Sequence, residues 1–117
     1  MADPRLIDWE QMDMIADGYS PEFLEILGEF LAEIPVMLES LAGLESSGDL
    51  DKASKVAHQI KGSAANFGFL AVSSAAAEIE SLTKSGSREN VGSLIGRAEN
   101  DFGLSVVELR DKRAGQV

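Results

Sequence analysis

SPEFLEILGEFLAEIPVMLESLAGL, residues 20–44, is the stretch whose reading decides the fold. Its apolar residues Phe23, Leu27, Phe30, Ile34, Met37, Leu41 and Leu44 recur at alternating steps of four and three. That is the seam of a long helix lying along a bundle. Leu24, Leu31 and Leu38 widen the stripe on one side, as a helix touching two neighbours requires. Ser20-Pro21 is a strong start, with serine as N-cap and proline at the first helical position. Pro35 falls inside the pattern and removes one backbone hydrogen bond. The seam keeps its phase across it, so the pattern predicts one continuous, bent helix.

Outward from this helix the same spacing repeats. Ser46-Ser47-Gly48-Asp49 breaks the chain, and Asp49 caps a helix whose inner face is Ala53, Val56, Ala57, Ile60, Ala64 and Phe67, with Gly68 at its exit. Val72, Ala75, Ala76, Ile79 and Leu82 mark the next helix. Ser85-Gly86-Ser87 ends that helix, and Ser87 is the expected cap of a last one carrying Val91, Leu94, Ile95, Ala98, Phe102, Val106 and Leu109. A short segment around Trp9, Met12 and Ile15, capped by Asp8, precedes the long helix and is expected to close one end of the core. No sustained period-two run or Asn-Gly or Asp-Gly turn signals a strand. The expected fold is all-α: an antiparallel up-and-down four-helix bundle with a short extra N-terminal helix. It occupies one domain over 1–117, with the bundle at 20–112 and a frayed end from Lys112.

The 44% hydrophobic content over 117 residues is enough for a core without metal or disulfide staples. No cysteine is present, which excludes disulfides, thiolate zinc sites and thiol catalysis. Met1-Ala2-Asp3-Pro4 lacks the basic flank and apolar run of a secretory signal, and no stretch is long and apolar enough to span a bilayer. The expectation is a cytoplasmic chain, and the initiating methionine favours a stand-alone one. A net charge of −10 disfavours nucleic acid and anionic membrane as partners. Residues 1–51 hold 13 acids against Arg5 alone, while residues 52–117 hold nine bases and seven acids. The acidic half reads as a solvated, solubilising surface.

The bases begin just before the only histidine, in the run Ala57-His58-Gln59-Ile60-Lys61-Gly62-Ser63-Ala64-Ala65-Asn66-Phe67-Gly68. At about 100° per residue, the apolar residues of this helix fall within about 60° of Ile60, whereas His58 falls about 160° away. His58 is therefore expected to point to solvent. Its surroundings are Ser54, Lys55, Lys61, Gly62 and Ala65. Gly62, one turn beyond His58, costs about 1 kcal/mol relative to alanine in a helix interior. Burial does not explain a glycine on an exposed face; close approach of another molecule does. With the small Ser54 and Ala65 it makes a low docking surface. Lys61, at i+3, places an ammonium near an anion held on the ring, and Lys55 reads as an ordinary solvated lysine. A neutral ring nitrogen of an exposed imidazole is a competent nucleophile toward phosphorus. Phosphoryl transfer is mainly positioning and charge neutralisation, which a nucleophile, a lysine and an open surface supply.

The run from His58 to Gly68 resembles the histidine phosphotransfer domains of multistep two-component phosphorelays. Their hallmark is a histidine followed at three and four residues by Lys-Gly, a small residue, and a glycine ten residues on; Ser63 and Gly68 complete it here. The resemblance extends to the acidic long helix with Pro35 and the Gly48-Asp49 turn. It implies phosphorylation of His58 through Nε2, Lys61 interacting with the phosphoryl group and Gly62 giving clearance. Asn66 reads equally as a minor contributor or a helix-end polar residue. The implied partners are receiver domains of response regulators or hybrid kinases, which bring the phosphorylatable aspartate and Mg2+. No Gly-rich nucleotide-binding segment is present, so the expectation is a monomeric carrier with no cofactor or metal of its own, rather than a kinase.

Two other classes compete. A non-catalytic helical interaction module would leave members of the Leu24, Leu31 and Leu38 row exposed. A metal- or cofactor-binding bundle needs convergent inward ligands, which one outward histidine does not supply, and the acids lie mainly off the seam. Met12, Met14 and Met37 are read as core or edge residues.

Overall fold

The structure is a computed structural model that describes residues 5–117; Met1–Pro4, read above as lacking a secretory signal, lie outside the described residues. Five helices follow one another: α1 (Trp9–Ala16), α2 (Pro21–Ser47), α3 (Leu50–Asn66), α4 (Leu70–Lys84) and α5 (Val91–Lys112). There is no strand among the described residues. The four long helices form the up-and-down bundle, with α3 and α4 the most extensively packed pair.

The caps fall where the sequence places them for the first three helices. Asp8 accepts from the amide of Gln11, Ser20 from Phe23 and Asp49 from Lys52. Helix α2 runs without interruption through Pro35, which is exposed, so the missing backbone bond falls on the solvent side. Its buried row is Phe23, Leu27, Phe30, Ile34, Leu38 and Leu41. Met37 and Leu44, expected in the seam, are only half-buried. A straight helix drifts from a 3.5-residue repeat, so the inward position passes from Met37 to Leu38. Met12 is buried, and Met14 is exposed.

Two expectations about chain ends are corrected. Ser87 does not cap the last helix: its hydroxyl accepts from Glu89 within the preceding turn, and α5 starts at Val91 after Asn90 in the left-handed region. Arg88 donates to the carbonyl of Glu45 (2.8 Å) at the end of α2, which draws the connection across before α5 begins. Nor does order end at Lys112. Arg113 forks onto Asp13 (2.6 and 3.1 Å) and lies 4.4 Å over the Trp9 ring, fastening the end of α5 to α1. The Arg113 guanidinium holds the Asp13 carboxyl below its usual range.

At one end of the core Phe30 stacks on Phe67 (4.4 Å) and meets Phe69 edge-on (4.9 Å), with Phe102 beyond. Gly68 makes this corner. It turns at φ 73°, the amides of Gly68 and Phe69 bond to Ala65 and Ala64 at the end of α3, and its carbonyl accepts from Asp8 (2.7 Å). A Cβ at Gly68 would lie 2.6 Å from the Asp8 carbonyl oxygen. Left-handed backbone and backbone contact thus both demand glycine. Gly68→Ala is expected to destabilise the protein by about 2 kcal/mol, measured by urea unfolding. An unchanged midpoint would show that the corner relaxes freely.

Candidate functional site

Helix α3 lies between α2 and α4, so its buried arc is wider than the arc centred on Ile60. Ala53, Ala57, Ile60 and Ala64 are buried as expected. Ser54 is buried too, at 8% exposure, rather than part of the open surface. It falls on the flank facing α4, and the short side chain lets that helix close over it. Lys61 and His58 share this flank. Gly62 and Ala65 are exposed, and nothing lies within 4 Å of a Cβ built at Gly62. The fold does not require glycine there.

His58 is mid-helix with its side chain 66% exposed. Its ring does not stand free, however. Nδ1 lies 2.8 Å from Oε2 of Glu80 on α4, while Lys61 Nζ donates to the other carboxylate oxygen, Oε1, at 2.6 Å. Glu80 itself is 8% exposed. One nearly buried carboxylate therefore fixes both the histidine and the lysine that the sequence singled out. Packing aligns it: Ser73 near the start of α4 donates to the Lys61 carbonyl (3.0 Å), setting the register of the two helices.

The electrostatics follow. The Lys61 ammonium lowers the Glu80 pKa most, burial opposes it, and His58 adds to the lowering, so Glu80 is ionised at neutral pH. An ionised carboxylate only accepts hydrogen bonds. Nδ1 of His58 is therefore the donor to Glu80, which leaves Nε2 as the ring nitrogen not engaged by that carboxylate. Because the Glu80 pKa is depressed from 4.5, its contribution to stability is present above that value and lost as pH falls through the folded value. The melting-temperature gap between wild type and Glu80→Gln is expected to narrow below about pH 4.5. A gap that stays constant into stronger acid would mean that the carboxylate's charge is not what matters.

Glu80 is the residue that the sequence reading missed. The remaining expected neighbours divide. Asn66 is exposed at the end of α3, and its carbonyl accepts from Gln11 (2.9 Å). With Ser63 and Phe67 it faces Ile26, Glu29, Phe30 and Glu33 of α2 across a shallow groove. Leu24 and Leu31 are half-buried and Leu38 is buried, so the row that would have marked an interaction module is largely packed. Among the described residues the buried polar side chains are Ser54, Glu80, Thr83 and Ser105, and no group of acids and histidine converges as a ligand set.

Comparisons with known proteins bear on the family and the fold. A model of the Hpt domain family matches residues 25–111. Among solved structures, histidine-containing phosphotransfer protein B (HptB) from Pseudomonas aeruginosa PAO1 is similar with a TM-score of 0.86. The match covers 94% of this chain and 96% of that one at 20% sequence identity, a likeness of fold. No curated protein matches in sequence. Since the family match spans most of the chain, from within α2 nearly to the end of α5, the chain belongs to the Hpt domain family of histidine phosphotransfer carriers in phosphorelay signalling.

Proposed function

We propose that His58 is the phosphorylated residue of this carrier, exchanging a phosphoryl group through Nε2 with the aspartate of a receiver domain. The observation that carries the reading is the bond from His58 Nδ1 to Glu80, which leaves Nε2 as the exposed nucleophile. In the forward step the Nε2 lone pair attacks phosphorus of the receiver's acyl phosphate. The N–P bond forms, the P–O bond to the aspartate breaks, and the carboxylate leaves with that electron pair. The ring ends as a phosphorylated imidazolium, with Nδ1–H still facing Glu80. That positive charge makes the ring a good leaving group, so the reverse step returns the phosphoryl group to a second receiver. Lys61, anchored by one of its three donors on Glu80, has the other two to offer the phosphoryl oxygens.

Gly62 and Ala65 give the receiver's backbone room, and the α2–α3 groove extends the docking surface. Ser54 belongs beneath the site rather than on this surface. Mg2+ carried by the receiver supplies further charge neutralisation when the two proteins are docked. We read the chain as a monomeric cytoplasmic carrier that takes phosphate from other proteins and not from ATP.

Incubation with a phosphorylated receiver domain tests the reading. Wild-type protein is expected to acquire label that is acid-labile and base-stable, as a phosphoramidate is. Absence of that label across the organism's receivers would sink it.

A further inference from the structure

On the side of His58 away from Lys61, helices α3 and α4 leave an open hollow of about 460 Å3, lined by Ser54, Lys55, His58, Gln59, Glu80 and Lys84. Glu80 is its only acid, and that carboxylate is already committed by its tight bond to Lys61. Lys84, one turn after Glu80 on α4, approaches the same oxygen that holds His58, but only to 3.9 Å, and its side chain is 73% exposed. That is an ion pair too long for a hydrogen bond. Lys55 forms no ion pair among the described residues and is exposed. The hollow therefore holds two ammonium groups with little to neutralise them, in a chain whose net charge is −10.

We propose that Lys84 is a second phosphoryl-binding residue, facing the transferred group from the wall opposite Lys61. The inference rests on His58 being the phosphorylated residue. Its Nζ is no farther from Nδ1 than the sum of the Lys84–Glu80 and Glu80–His58 distances, and its exposed side chain is free to swing. A phosphoryl group brings up to two negative charges and three acceptor oxygens. Lys61 meets one side of it. On the other side Lys84 exchanges a loose pair with Glu80 for a direct bond to a phosphoryl oxygen, and Lys55 adds longer-range attraction. The hollow gives the group room without displacing Ser54 or Gln59. Lys61 is thus the fixed cation and Lys84 the mobile one. No covalent bond other than those of the transfer itself forms or breaks.

The test compares wild type, Lys84→Ala and Lys84→Arg with two phosphodonors: a phosphorylated receiver domain and phosphoramidate, which docks on nothing. Lys84→Ala is expected to slow labelling of His58 about tenfold with both donors, with helicity by circular dichroism unchanged, and Lys84→Arg is expected to recover most of the rate. Equal rates for wild type and Lys84→Ala with both donors would overturn the proposal. Slowing with the receiver alone would overturn it too, because Lys84 would then be a docking contact. No label on wild type from either donor would bring down the carrier reading itself, an outcome distinct from the other two.

Discussion

Replacing His58 by glutamine is expected to abolish acid-labile labelling altogether, while the protein folds as before. The chain holds a single histidine, so no second imidazole takes over. Glutamine is close in size and its amide donates to Glu80, which keeps the buried carboxylate partnered. With the native side chain about two-thirds exposed, the substitution is expected to move stability by no more than about 0.5 kcal/mol. What disappears is the lone pair. An amide nitrogen is not a nucleophile toward phosphorus, and no nearby group replaces it. Phosphotransfer from a labelled receiver, followed by acid and base treatment of the product, gives the result. Persistence of acid-labile, base-stable label on the variant would place the phosphoryl group elsewhere.

The second large effect concerns Gly62. Gly62→Gln is expected to cut transfer from a receiver by about a hundredfold while raising stability by up to about 1 kcal/mol, because a helix former replaces glycine in a helix interior. The structure supports both halves: the position is helical and exposed, and an added Cβ meets nothing in the protein itself. Any obstruction is then intermolecular. Labelling by phosphoramidate is expected to survive, because so small a donor needs no docking surface. Stopped transfer with a higher unfolding midpoint identifies clearance as the role of Gly62. Unchanged transfer would remove it.

These two residues were legible from sequence because helical phase is a local property. His58 lies off the apolar stripe of its own helix, and no knowledge of the neighbours is needed to see it. The inward rows of the four long helices were readable in their centres for the same reason, while Met37, Leu44, Val56, Leu82, Leu94, Phe102 and Val106, read as inward, are only half-buried at the margins of the core. Glu80 was not legible. It follows the inward Ile79 directly, and an acid beside a core residue reads as the solvent flank of α4. Only the register of α3 against α4 turns that flank toward His58. A faint signal was present, since Ala76 and Thr83, one turn to either side of Glu80, are small and buried. Such a strip marks a flank held close to another helix. Ser54 was misplaced by the same omission: its phase on α3 is right, but the second neighbour's coverage is a tertiary fact. Ser87 was passed over as a cap because Arg88 reaches back to the end of α2, a contact 43 residues away in sequence.

His58, Lys61, Glu80 and Lys84 all belong to α3 and α4, consecutive helices joined by the short corner at Gly68. The proposed nucleophile, the carboxylate bonded to it and the two ammonium groups beside that carboxylate are therefore carried by one helical hairpin, the pair most extensively packed in the bundle. Loosening of α2 or α5 during breathing motions is therefore expected to disturb their mutual distances less than loosening of α3 from α4. Docking strength and chemical competence are thereby separable. A receiver is free to strain or tilt the outer helices while it binds, and the rate of the chemical step need not register that movement.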